Sequence, residues 1–294
     1  MKSESTTADE SSRLVETIAF ELFGTVQTFE RWRFDAHIIF FTATIISLIT
    51  TGYVVYVMTV ISLISGVTAF VLRLLANRHN FLGHSLHRIA MLAKAYSMNS
   101  DQFDASYLFS KVPVKIHKNC AQKVRSVSAS GEYTLPNSGD GTSQLRWMIQ
   151  ENAFFNATLY AACAEKAQKT LWFIIILVLL CTFLIVPLAD GQGKDVLLRG
   201  VLAIFSVTIL YDQAEQCANW KFASRLMLDL ENELARFKTV PEHRVLLLFS
   251  NYQIVILGAP AIEEKIYQRN RDKLNFGWKH RAAALQNDWG HNDL

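Results

Sequence analysis

The sequence predicts an all-α integral membrane protein in which two transmembrane helical hairpins carry cytosolic helical extensions. Three observations predict it. Residues 36–72 contain no Asp, Glu, Lys or Arg. A second apolar block, LWFIIILVLLCTFLIVPLA, fills 171–189 and is answered by a return through 196–211. The charged residues gather between these blocks. Hydrophobic residues make up 51% of the chain, an ordinary fraction, so their distribution rather than their amount carries the prediction.

The first hairpin covers 34–72. As one helix the charge-free run would be about 55 Å long, against a hydrocarbon core of about 30 Å, so it must reverse. Thr50-Thr51-Gly52 is the natural break, giving spans near 34–50 and 53–72. The second hairpin covers 171–211. Its third span ends at Pro187, placed to kink it. DGQGKD (190–195) is a turn by composition. The fourth span contains Arg199, one turn from its end, where the side chain can snorkel to the headgroups.

Charge sets the orientation. Residues 73–125 carry 9 basic and 2 acidic side chains, whereas 212–294 carry 11 of each. The basic residues flanking the spans (Arg31, Arg33, Arg73, Arg78, Lys166, Lys169, Lys221 and Arg225) all stand on the open side of the hairpins. Basic flanks stay cytoplasmic. The N-terminal region 1–33, the connector 73–170 and the C-terminal region 212–294 are therefore expected inside, with both termini cytosolic and two short turns outside a bacterial inner membrane. Residues 1–12 have no secretory-signal pattern. Cys120, Cys163, Cys181 and Cys217 fit no zinc spacing and are expected to be reduced.

The extensions read as helices. In 14–32, Val15, Ile18, Ala19, Leu22, Phe23, Val26 and Phe29 form a stripe at helical spacing, better suited to packing than to anionic lipid because its polar face is acidic. The Ser/Gly-rich stretch 126–143 reads as a loop. From Gln144 a helix runs into the third span, with Leu145, Met148, Asn152, Phe155, Leu159 and Ala162 at heptad-like spacing. The helix of the fourth span continues through Phe237, with Leu226, Leu230 and Leu234 on its apolar face and Glu231 and Glu233 elsewhere, so that the two extensions pack as a stalk. Pro241 ends it. Residues 245–258 are apolar but short and hold Asn251 and Gln253, which favours a buried segment over a fifth span. The tail 262–294 is helical and charged, with Trp278 and Trp289.

No phosphate-binding loop, dinucleotide fingerprint, GxSxG or HExxH motif is present, so no enzymatic activity, cofactor or metal is expected. His84 and His87, three apart, share a helix face with His79 nearby; interfacial histidines beside Arg73, Arg78 and Arg88 explain them better than a metal site. Asp212 and Glu215 read as a solvated or ion-attracting rim. Lys111, Lys115, Lys118, Lys123 and Arg125, with His117 among them, form a basic run that obeys the orientation rule and is dense enough to contact anionic lipid or an anionic ligand. The first hairpin is rich in hydroxyls and small residues. Ser62/Gly66 and Ser65/Ala69 are small-xxx-small pairs, and Thr44, Ser47, Thr51, Ser62 and Gly66 are the candidates for helix packing or pore lining.

Three stretches, WMIQENAFFNATLY (147–160), YDQAEQCANW (211–220) and EEKIYQRNRDKLNFGW (263–278), together with the two-hairpin layout, carry a resemblance. The chain resembles the bacterial four-transmembrane effectors linked to SMODS nucleotide-synthase and related anti-phage systems. The resemblance implies a pore-forming effector that disrupts the inner membrane when infection is sensed, with no catalytic residue carried over. The expected partners are then the lipid bilayer, further copies of the chain in a homo-oligomer, and a cytosolic defence partner or nucleotide signal; nucleic acid is not among them. The alternatives are a membrane anchor or sensor that recruits a cytosolic partner without a pore, and a small channel or transporter.

Overall fold

The computed structural model describes residues 2–50, 52–98, 106–126, 140–185, 194–237 and 240–291, and among these every regular element is a helix. Thr51, Pro187, most of the 126–143 loop and most of the 190–195 turn lie outside the described residues, as do the side chains of Arg125, Cys181, Arg199 and Trp289. The elements are α1 (Lys2–Ile49), α2 (Tyr53–Tyr96), α3 (Ser106–Phe109), α4 (Val114–Ser126), α5 (Gly141–Ile185), α6 (Lys194–Ala235), α7 (Glu242–Gly258) and α8 (Glu264–His291).

Two long antiparallel pairs dominate. The expected amphipathic helix and first apolar segment are one uninterrupted helix, α1, of 48 residues. At about 1.5 Å per residue it is about 72 Å long. α2, of 44 residues, returns alongside it. The reversal needs Gly52, whose φ is +69°, in the left-handed region where a Cβ is unfavourable. The register holds along the whole pair: Phe23 lies against Gly83, Phe40 against Gly66, and Thr44 against Ser62. α5 and α6 form the second pair, whose register is fixed by Ser224 donating to the Ala157 carbonyl at 2.8 Å and Cys217 Sγ lying 3.6 Å from the Ala164 carbonyl.

Each pair has a polar half and an apolar half. The polar halves hold the cores. In the first, Val15, Ile18, Ala19 and Leu22 of α1 pack on Leu82, Leu86 and Ile89 of α2, with Cys120 of α4 closing the cluster. These α1 residues belong to the stripe read from sequence, which packs against protein. In the second, Leu145, Met148, Ile149 and Ala153 of α5 pack on Met227, Leu230 and Leu234 of α6 and on Val245, Leu248, Phe249 and Tyr252 of α7. α7 is thus a buried segment seated on the stalk, as its length and polar residues required. Trp278 of α8 is buried against Trp147, Phe154 and Phe155. Arg146 donates to the Leu234 and Phe237 carbonyls, capping the last turn of α6.

The apolar half of α2 is partitioned the other way. Its large side chains face outward, with Tyr53 80%, Leu63 66% and Phe70 61% exposed, while Ser62, Ser65 and Ala69 are buried against α1. α5 continues the pattern with Trp172, Phe173, Ile176 and Phe183 exposed. Among the described residues α2 is the one helix long and apolar enough to cross a membrane by length and composition, and only 17% of its most apolar window is buried. A core helix of a soluble protein would be mostly buried.

Candidate functional site: a charged collar and a hydroxyl seam

The polar and apolar halves meet at a collar of charges. Arg73 of α2 donates from Nη1 to Asp212 Oδ1 at 3.0 Å and from Nη2 to Glu215 Oε2 at 3.2 Å, reaching across to α6. Asp212 and Glu215 lie three apart at the point where α6 leaves its apolar segment, so both present to one guanidinium. Arg33 of α1, a buried residue, pairs with Glu30 at 3.2 Å. Burial raises the Glu30 carboxyl above its ordinary value, while the Arg33 and Arg73 guanidiniums pull it back. Residues from α1, α2 and α6 therefore share one electrostatic cluster, and Arg73 ties the first hairpin to the second.

Asp212 and Glu215, read from sequence as a solvated or ion-attracting rim, both pair with Arg73. The collar divides the flanking arginines too. Arg31, Arg78, Lys221 and Arg225 are exposed, as flanking residues should be, whereas Arg33 is buried and Arg73 is engaged. Lys166 pairs with Glu263, the residue before α8, and Lys169 with Glu165 one turn away.

On the apolar side of the collar lies a seam of hydroxyls. Thr44 and Ser62 are buried with their oxygens 2.9 Å apart. Thr44 also donates to the Phe40 carbonyl at 2.8 Å, which leaves the Ser62 hydroxyl to donate to Thr44. Ser47 donates to the Thr44 carbonyl at 2.7 Å. A Cβ on Gly66 would meet the Phe40 ring at 3.4 Å, so Gly66 stands in close contact with α1 and an alanine fits there. Of the five seam candidates, the structure brings Thr44, Ser47 and Ser62 together, with Gly66 one turn along. In the single chain they pack α1 against α2.

Packing gives the members of the basic run different surroundings. α4 turns Cys120 toward the first core and leaves Lys115 and Lys118 exposed. Lys123 donates to Glu21 of α1 at 2.7 Å, which ties α4 down. Lys111 lies before α4, its Nζ 5.1 Å from the centre of the Tyr107 ring.

His84 and His87 are packing residues. His87 is buried beside Phe20, and His84 lies against Phe23 with ring centroids 4.7 Å apart. Burial pushes His84 down to about 3 and His87 down to about 4, so both rings are neutral at ordinary pH. Among the described residues no group of His, Cys, Asp and Glu is arranged to hold a metal, and Cys120, Cys163 and Cys217 are free thiols.

Several polar residues were illegible in sequence. Glu231, expected outside the stalk's apolar face, is 3% exposed and accepts from Arg281 Nε at 3.0 Å. Glu151 is buried on α5, its Oε2 without a hydrogen-bond partner, and burial pushes its carboxyl up to about 7 against the pull of Lys94. At the far end of α6 a cavity of about 600 Å³ is lined by Asp229, Glu233, Arg236, Arg244 and Arg281. Arg244 is already paired with Glu233, as Arg281 is with Glu231. Around the second hairpin Trp147 meets Trp278, and Trp220 donates to the Pro260 carbonyl at 3.1 Å. No protein-family model, curated protein or solved structure matches the chain.

Proposed function

We propose that the chain is a multi-pass protein of the bacterial inner membrane, with spans at 34–50, 53–72, 171–189 and 196–211 and both termini cytosolic. It acts as an effector that oligomerises and permeabilises that membrane after a cytosolic signal. The observation that carries the membrane reading is the inverted partition of α2, with Leu63 and Phe70 outside and Ser62, Ser65 and Ala69 inside. Water penalises that arrangement, whereas lipid favours it: the large side chains meet acyl chains and small residues let the helix backbones approach. From the turn at Gly52 to Arg73 is 21 residues of α2, about 32 Å, which matches a hydrocarbon core of about 30 Å.

The permeabilising role rests on the resemblance and on the collar. With Arg73 engaged, the hairpins are clasped and the seam hydroxyls face inward. Release of the clasp frees the first hairpin from the second to meet neighbouring copies, and a further separation of α1 from α2 turns Thr44, Ser47 and Ser62 toward those copies, where a ring of hydroxyls lines a wet path. The test is induced expression in a bacterium carrying a membrane-potential dye, with and without phage challenge. Rapid depolarisation tied to expression or infection is the expected result, and Ser62→Leu/Gly66→Leu should insert without depolarising. Full depolarisation by that variant removes the seam from the pore.

One observation favours a second reading, a membrane anchor or sensor that recruits a cytosolic partner. Thr44 and Ser62 satisfy each other within one chain, leaving the outward faces of the first hairpin apolar, as a static anchor requires. An unchanged potential with the protein confirmed in the membrane selects this reading.

A further inference from the structure

Arg78 and His79 lie one turn beyond Leu74, an exposed apolar residue at the end of the apolar half of α2. Lys111 reaches the same place from a different part of the chain. Its backbone N–H closes the turn after α3 by donating to the Leu108 carbonyl at 3.0 Å, and the next residue, Val112, is buried in the first core, which fixes where the lysine stands. Arg78, His79 and Lys111, with Leu82 and Pro113, line a cavity of about 130 Å³. His79 Nδ1 is 2.8 Å from the Leu75 carbonyl, so Nδ1 carries a proton and Nε2 is the remaining polar atom of the ring.

Among the described residues the charge of this cavity has no carboxylate partner. Arg33, Arg73 and Lys123 each have a carboxylate partner. Among the described residues neither Arg78 nor Lys111 pairs with a carboxylate; Lys111 lies over the Tyr107 ring instead. Two cations around a small cavity suit a tetrahedral oxyanion, which a guanidinium fork binds through two parallel hydrogen bonds, with the His79 ring forming part of the wall. Ligand pockets for drug-sized molecules run about 300–1,000 Å³, so this smaller one matches the size of a phosphate group. The surrounding surface is apolar, with Leu74, Phe81 and Tyr107 all exposed.

We propose that Arg78, His79 and Lys111 form a binding site for a phosphate ester. The source is a phospholipid headgroup or a soluble phosphate. The lipid source rests on the membrane reading above, under which Arg78 lies about 6 Å beyond the end of the apolar stripe, within the headgroup layer. The phosphate chemistry itself does not rest on it.

The test uses the full chain in detergent, with phosphatidylglycerol, phosphatidylcholine and inorganic phosphate as separate probes, bound lipid being counted by native mass spectrometry and phosphate binding read by calorimetry. The variant is Arg78→Gln/Lys111→Gln. The control is Lys115→Gln/Lys118→Gln, which removes the same charge from the exposed face of α4. At about fivefold per cation, the first variant should lose about 30-fold in affinity, and the control should keep wild-type binding. Arg78→Lys/Lys111→Arg, which preserves both charges, should restore most of the affinity and so separates site loss from misfolding. Selective retention of phosphatidylglycerol assigns the site to lipid. Inorganic phosphate that binds through the same residues assigns it to a soluble ligand, and that outcome stands even if no depolarisation is observed in cells. Equal losses in variant and control, or binding of neither anionic probe, overturn the proposal.

Discussion

Replacing Glu151 by glutamine should change the pH dependence of stability by an amount the structure allows to be worked out. The carboxyl is 8% exposed on α5, and Oε2 has no hydrogen-bond partner. Burial pushes it from 4.5 up to about 7. An acid raised in this way is held neutral by the fold. Between pH 4.5 and about 7 the folded chain binds the proton that the unfolded chain has released, so stability falls as pH rises through that window and is flat above it. At about 1.36 kcal/mol per pH unit, the loss is about 3 kcal/mol, most of it between pH 5 and pH 8. The amide has nearly the same shape and never ionises. Burying it carries its own cost, but that cost does not change with pH and cancels when the difference between variant and wild type is compared at two pH values. His84 and His87 are common to both proteins and cancel as well. The assay is thermal unfolding of the full chain in detergent, followed by tryptophan fluorescence at pH 5 and pH 8. At about 2–4 °C per kcal/mol, the midpoint of the glutamine variant relative to wild type should rise by about 5–10 °C from the lower pH to the higher. Parallel midpoints at both pH values would mean that the carboxyl ionises as an exposed group does, and the account of a dry, unpartnered Glu151 would fail.

Three further outcomes follow from the geometry. Arg73→Gln should cost about 1–2 kcal/mol, near the upper end for partly exposed pairs because Asp212 is 15% exposed, and the deficit should shrink in 1 M salt; a salt-independent deficit would mean that packing rather than charge holds the hairpins together. A double-mutant cycle of Thr44→Val and Ser62→Ala, read by unfolding in detergent, should give a coupling of about 0.6–1.7 kcal/mol, and a coupling of zero would remove the direct hydroxyl pair. His87 acts in the opposite direction to Glu151. Its folded value of about 4 lies below the unfolded value of 6.5, so stability is full above pH 6.5 and is lost as pH falls, by about 2 kcal/mol at pH 5; His87→Leu should remove that share of the acid loss and leave the share carried by His84, and an unchanged acid limb would place the proton elsewhere.

Much of the helical layout was legible along the chain because its causes are local. A charge-free run too long for one span had to reverse, and Gly52 was the residue able to take the positive φ at the reversal. The stripe from Val15 to Val26 identified its own buried face, since a 3.6-residue period needs no knowledge of the partner. The length of 245–258 and its Asn and Gln argued for a seated segment, and α7 packs on the stalk.

What the tertiary structure alone decided were the pairings. Arg73 and Asp212 are separated by 139 residues, and nothing in the spacing of either says that the turn of α2 bearing Arg73 stands level with the exit of α6. The basic run looked uniform in sequence, yet packing gave Lys123 to Glu21, left Lys115 and Lys118 in solvent, and set Lys111 beside Arg78. Glu231 and His87 looked like surface residues because their neighbours are polar, and became buried when Arg281 and Phe20 arrived from other helices. Periodicity fixes which face of a helix is apolar. The partner a polar residue meets is set by the register between helices, and that register is decided by contacts such as Phe23 on Gly83 and Phe40 on Gly66, made between segments that the sequence holds far apart.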